Sequence, residues 1–128
     1  MGEHVTLGAH DLQRAIAFYD ATLAPLGIYR VAGKYPGWAA WERPGEEPKF
    51  WVGQPYNQQP ASSGNGCMVA FRAQSRAAVD AAYQAAIAAG AHDEGQPGLR
   101  PSYGPTYYGA YVRDQDGNKV HFVCRSEP

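Results

Sequence analysis

The sequence predicts an α+β fold in which two βαβββ units pair into one cupped, mixed sheet with helices on its outer side. Three observations predict it. Runs rich in Tyr, Val and Phe on either side of Asp116-Gly117-Asn118 make Tyr108 to Val123 an antiparallel hairpin, because Gly and Asn tolerate the positive φ of a tight turn. Lys49-Phe50-Trp51-Val52-Gly53 repeats the pattern of Lys119-Val120-His121-Phe122-Val123. Adding 64 to the start of the chain aligns Val5 with Val69, Leu7 with Phe71, Ala9 with Ala73, Asp11 with Ser75, Tyr19 with Tyr83 and Leu23 with Ile87. The last strands need an offset of 70, so the second unit carries about six extra residues, most simply between Gly95 and Pro105. Two copies are too few for a solenoid, so the halves are expected to pair into one body.

Each element has a local reason. His4 to Ala9 alternates as a strand, with Val5 and Leu7 on one face and His4 and Thr6 on the other. Asp11 caps a helix whose apolar positions Leu12, Ala15, Ile16, Tyr19 and Leu23 recur every three or four residues, and Pro25 with Gly27 ends it. Ile28 to Val31, Gly37 to Glu42 and Lys49 to Gly53 are short β-branched and aromatic runs between Pro and Gly turns. Residues 54–66 read as a linker. Cys67 to Ala73 then starts the order again, Ser75 caps an alanine-rich helix ending at Gly90, Ala91 to Gln96 is a short strand, and Gly98 to Pro105 is too polar and broken for one.

A chain of 128 residues is one ordinary domain, here units 1–53 and 67–128 around the linker, able to bury about two-thirds of its unfolded surface. A net charge of -1 without a basic stripe argues against nucleic acid. No apolar run approaches the roughly 20 residues that cross a bilayer, so no membrane partner and a cytoplasmic location are expected. Met1 to Thr6 formally fits an acylation pattern, which a buried Val5 would contradict. Cys67 and Cys124 lack any C-x-x-C spacing and read as small buried apolar residues of a reduced compartment.

The repeat singles out four positions on first and last strands: His4 matches Met68, and Trp51 matches His121. By alternation all four face away from the helices, into a shared cup. Two converging imidazoles suggest a divalent metal such as zinc, nickel, manganese or iron, but such sites usually need about three protein ligands, and neither Trp51 nor the soft thioether of Met68 suits them. A third ligand from His10, Glu42, Glu46 or Glu47 requires a loop folded inward. His10 and His92, beside helix ends, read as surface residues. The competing reading of His4 and His121 is a half-buried imidazole hydrogen-bonded to a neighbour.

Aromatic residues form the second constellation. Tyr103, Tyr107, Tyr108 and Tyr111 fall close together, and Tyr35, Trp38, Trp41, Trp51 and Tyr56 crowd the matching part of the first half. Rings with polar tips suit a pocket for a small, partly apolar ligand, or else sheet core and a dimer interface. With Arg100 available for an anionic group, the candidate ligand-binding residues are Trp51, Met68, Arg100, Tyr103, Tyr107 and Tyr111. No nucleophile elbow, P-loop or dinucleotide fingerprint is present.

His4-Val5-Thr6-Leu7, Asp11-Leu12-Gln13-Arg14-Ala15-Ile16-Ala17-Phe18-Tyr19, the turn Ala24-Pro25-Leu26-Gly27 and Asp114-Gln115-Asp116-Gly117-Asn118-Lys119 together resemble the vicinal oxygen chelate superfamily, which holds glyoxalase I, bleomycin-resistance proteins and extradiol dioxygenases. That resemblance implies metal ligands on the first and last strands of each half, at His4, near Trp51, at Met68 and at His121. Trp51 and Met68 depart from the pattern, and glyoxalase I chemistry needs a full ligand set with a carboxylate base. The expectation is therefore a homodimer binding a small molecule in an aromatic cup without a tightly held metal. The alternatives are a metal-dependent lyase, isomerase or dioxygenase with His4 and His121 as ligands, and drug sequestration without turnover.

Overall fold

The computed structural model describes residues 2–33, 35–46 and 49–128. The first unit runs β1 (His4–Gly8), α1 (Leu12–Leu23), a 3-10 turn (Ala24–Leu26), β2 (Tyr29–Arg30), β3 (Trp38–Glu42) and β4 (Lys49–Gly53). The second runs β5 (Met68–Arg72), α2 (Arg76–Ala88), β6 (His92–Leu99), a 3-10 turn (Pro101–Tyr103), β7 (Tyr108–Arg113) and β8 (Lys119–Cys124). Both predicted caps form: Asp11 accepts from the Arg14 amide at 3.1 Å and Ser75 from the Ala78 amide at 3.0 Å. Gly27, at φ +73°, ends the α1 region by donating its N–H to Ala24.

Each unit folds into its own four-stranded mixed sheet, ordered β1-β4-β3-β2 and β5-β8-β7-β6. The registers reproduce the repeat. Parallel β1 and β4 set His4 opposite Lys49 and Thr6 opposite Trp51, while parallel β5 and β8 set Met68 opposite Lys119 and Ala70 opposite His121. The inner hairpins differ by one step. Ala40 lies opposite Trp51, and Tyr111 lies opposite His121, so β3 maps onto β7 at an offset of 71 where β4 maps onto β8 at 70. The second half thus places a tyrosine against His121 where the first places an alanine against Trp51.

Alternation sends Trp41, Phe50 and Val52 of the first sheet, and Phe71, Val112, Val120 and Phe122 of the second, toward the helices. There they meet Phe18, Tyr19 and Leu23 of α1 and Val79, Ala82 and Ala86 of α2 in one buried cluster. Phe50 and Phe71 join the halves edge to face at 5.0 Å. Full burial of each such ring or branched chain contributes about 1.5–3 kcal/mol, which makes this layer the main source of stability.

Three local expectations are revised. Val5 is 38% exposed, on an edge strand that, among the described residues, has no strand hydrogen-bonded to its outer side. Cys67, expected to be buried, is exposed just ahead of β5, whereas Cys124 is buried. Strand β6 continues to Leu99, through the stretch read as broken from Gly98, with register shifts at Asp93/Gly95 and Gly95/Gly98. As an edge strand it tolerates Pro97, and its irregular pairing absorbs much of the extra length of the second unit.

Candidate functional site

The site is built on the open face of the second sheet. Val120 and Phe122 face the helices, so Lys119 and His121 face the other way, and Tyr111 on β7 stands beside His121 in register. The Tyr111 and His121 rings stack at 3.9 Å with planes 5° apart, and Tyr107 lies on the same imidazole at 5.8 Å and 15°. Tyr103 meets Tyr107 edge-on at 5.3 Å. The stack requires Gly109: a Cβ there would sit 2.5 Å from His121 Cε1.

His121 is completely buried behind these tyrosines, on the cup side of the sheet but not on the cup's wall. Its Nδ1 lies 2.8 Å from the Ala110 carbonyl, an acceptor only, so Nδ1 carries the proton. Nε2 must then accept, and the Tyr107 hydroxyl donates to it at 2.7 Å. Burial pushes the His121 pKa below 6.5, and Arg100, Lys119 and Arg125 push it the same way against the opposing effect of the Ala110 bond. The ring is neutral, with both nitrogens committed. Nitrogen NMR at about pH 7 is expected to show an Nδ1-protonated neutral imidazole; a ring titrating above 6.5 would contradict the arrangement. Because the folded value is the lower one, the unfolded chain takes up this proton first as pH falls. His121 therefore subtracts stability as pH drops through 6.5 toward its folded value.

In front of the stack is a concavity of about 690 Å³ lined by Met68, Glu94, Arg100, Ser102, Tyr103, Tyr107, Tyr111, Lys119 and Arg125. Five of the six residues named from the sequence as ligand-binding, Met68, Arg100, Tyr103, Tyr107 and Tyr111, come together here. Trp51 does not. It packs edge-on against Tyr35 and lines a separate hollow of the first half with Glu3, His4, Thr6, Trp38 and Lys49. The remaining aromatics serve elsewhere: Trp41 is core and donates to Asp20, Tyr108 donates to Asp80 on α2, and Tyr56 is fully exposed. Lys119 and Arg125 were missed from the sequence. Lys119 was legible, two positions before His121 on the same strand face; Arg125, past the strand end, carries no such signal.

Among the described residues the cations are held without carboxylates. Arg100 donates to the carbonyl of Gln96 at 2.8 Å and stands 5.5 Å from the Tyr111 centroid. Lys119 stands 5.4 Å from the same centroid, and Arg125 4.9 Å from that of Tyr107. Burial, with the neighbouring phenols Tyr107 and Tyr103, raises the Tyr111 pKa against the pull of Arg100, so its hydroxyl stays protonated.

The donors present do not fit a metal centre. His4 lies in the first-half hollow, half exposed and bonded to Glu3 at 3.1 Å, while His121 has no free nitrogen. Of the proposed third ligands, Glu42 pairs with Lys49, Glu46 with Arg43 and Arg72, and His10 lies against Asp116; Glu47 is outside the described residues. Among the described residues no three His, Cys, Asp or Glu side chains come together as a metal site.

Two register-matched βαβββ units with an open, ring-lined face define a protein of vicinal oxygen chelate architecture. The family model described as Glyoxalase/Bleomycin resistance protein/Dioxygenase superfamily matches residues 3–122, and the chain belongs to that superfamily. It is similar to the crystal structure of a glyoxalase/bleomycin resistance protein from Albidiferax ferrireducens T118, at 40% identity and TM-score 0.86 over 98% of this chain and 99% of that one. A glyoxalase/bleomycin resistance protein/dioxygenase family enzyme from Burkholderia phytofirmans PsJN matches at 20% identity and TM-score 0.75 over 97% and 98%. A mutant of the fosfomycin resistance protein FosX from Listeria monocytogenes, complexed with Mn(II) and 1S,2S-dihydroxypropylphosphonic acid, matches at 16% and 0.66 over 96% and 88%. The latter two likenesses show the fold alone. A search of the curated proteins found no match. Among the described residues no helix is long and apolar enough to cross a membrane.

Proposed function

We propose that this chain is a small-molecule-binding member of the superfamily that takes its ligand in the second-half concavity and holds no metal there. One observation carries the reading: the only histidine at that site spends both nitrogens on Ala110 and Tyr107, leaving a wall of phenols, a thioether, cations, Ser102 and the Arg113-paired Glu94. Such a wall binds through stacking and directed hydrogen bonds. The reading includes a cytoplasmic homodimer.

A thermal-shift screen of neutral, cationic and anionic small molecules, with and without a chelator, tests it. A ligand at about a hundredfold excess over its Kd adds about 2.7 kcal/mol to folding stability. Hits that persist in chelator and disappear in Tyr107→Phe or Tyr111→Phe are expected. Hits confined to metal-loaded protein, or no hits at all, would overturn the proposal.

A further inference from the structure

We infer that the ligand of this concavity is a flat organic anion, with a carboxylate seated between Arg100 and Lys119 above Tyr111 and an apolar body lying toward Met68 and Tyr103. The inference rests on the reading of the concavity as a small-molecule site and adds its ligand class. Charge is the first argument. Arg100, Lys119 and Arg125 line one hollow of a chain whose net charge is -1, and among the described residues none of them pairs with a carboxylate. The one carboxylate on the wall among the described residues, Glu94, is engaged by Arg113. The wall therefore carries uncompensated positive charge, and an anion is the complement that removes it.

Placement is the second argument. Arg100 and Lys119 stand over the same ring, at 5.5 and 5.4 Å from its centroid, whereas Arg125 stands over Tyr107. Two cations from different elements thus reach the same ring on the wall of the hollow, and the bond from Arg100 to the Gln96 carbonyl holds its guanidinium without neutralising it. His121, held neutral and covered, adds no competing acceptor.

Shape is the third. Met68 is 45% exposed and Tyr103 64% exposed, large apolar surfaces left open on the same hollow, with Met68 beside Lys119 in strand register. An ion such as inorganic phosphate would satisfy the cations and leave this surface wet. An aromatic carboxylate satisfies both.

The test is titration calorimetry of the full chain with benzoate, 2-naphthoate and indole-3-carboxylate, against benzamide, benzylamine, cyclohexanecarboxylate and inorganic phosphate. At least one flat carboxylate is expected to bind about tenfold or more tightly than its neutral and cationic analogues, than cyclohexanecarboxylate and than phosphate, and to weaken with salt. Arg100→Gln and Lys119→Gln are each expected to lower its affinity about 10- to 100-fold, with Arg125→Gln costing less, while melting curves confirm that the variants remain folded. Benzamide binding as well as benzoate would overturn the inference, as would equal binding of cyclohexanecarboxylate or phosphate. If no carboxylate binds while the broad screen yields a neutral or cationic ligand lost in Tyr107→Phe, the anion assignment falls and the binding function stands. Silence in both experiments removes both.

Discussion

Asp114→Ala is expected to cost about 3–5 kcal/mol of folding stability, a large part of the 5–15 kcal/mol that holds a domain of this size. The carboxylate is 3% exposed and accepts from four donors: the Tyr19 hydroxyl at 2.5 Å, the Asn118 side-chain amide at 3.0 Å, and the backbone amides of Asp116 and Asn118 at 2.9 Å each. Alanine takes the acceptor from these donors, three of them at buried bonds, and burial already pushes the Tyr19 pKa well above its usual value, so the phenol cannot relieve the loss by ionising. The loss also reaches across the molecule. Tyr19 sits on α1 of the first unit, Asn118 donates on to the Gly8 carbonyl at 3.0 Å, and Asp116 accepts from the His10 amide at 2.9 Å, so the β7–β8 turn is tied to the end of β1. Tyr19→Phe, which removes a donor together with its demand, is expected to cost less, and Asp114→Ala to cost less in that background than alone. Urea unfolding followed by circular dichroism measures all three. A cost within about 0.5 kcal/mol of zero for Asp114→Ala would show that the network is ornamental.

The same network marks the boundary of what the sequence discloses. That Asp116-Gly117-Asn118 turns the chain is a local fact, since Gly117 must reach φ +85° and few residues do so. That Asp114 meets Tyr19 is not local: 95 positions separate them. Caps, helix stripes and strand alternation were legible at Asp11, Ser75, Val52 and Phe122 because each depends on a period the residues themselves carry. The repeat was legible for the same reason, and the strand registers agree with its offsets of 64 and 70.

The site was legible in its composition and not in its partition. Alternation put Trp51 and His121 at equivalent places on one kind of face, but nothing in a period-two pattern says that the two halves present separate hollows. The burial of His121 was hidden by the extra step between β3 and β7, which sets Tyr111, rather than a counterpart of Ala40, against the imidazole. Strand β6 was legible from Ala91 to Gln96 and not beyond, because Gly98 to Pro105 is polar and broken by Gly and Pro. Gly95 answers to a tertiary neighbour, since a Cβ there would come within 3.0 Å of the Tyr111 ring, and Gly98 to a local one, since a Cβ there would lie 3.1 Å from the Arg100 guanidinium. What reads as a weak strand is a strand cut to fit the site.

Gly109 carries that logic furthest. Gly109→Ala is expected to cost about 1–3 kcal/mol, the usual penalty for forcing an extra carbon into a filled space, and to disturb the site together with the fold. The new Cβ would lie 2.5 Å from His121 Cε1 and 3.1 Å from the Phe122 carbonyl oxygen. The carbonyl belongs to the sheet and moves little; the imidazole is pinned between Ala110, Tyr107 and the Tyr111 ring, so it can yield only by breaking those contacts. Loss of the Nδ1-protonated signature in the nitrogen spectrum should therefore accompany the loss of stability, as should weakened binding of whatever ligand the wild type takes. A double-mutant cycle separates crowding from strand propensity. In a His121→Ala background the clash with the ring is gone, and Gly109→Ala should cost at least about 1 kcal/mol less than in the wild type, leaving only the contact with the Phe122 oxygen. Strictly additive costs would mean that the glycine serves the strand alone, and that the position of His121 does not depend on the missing side chain beside it.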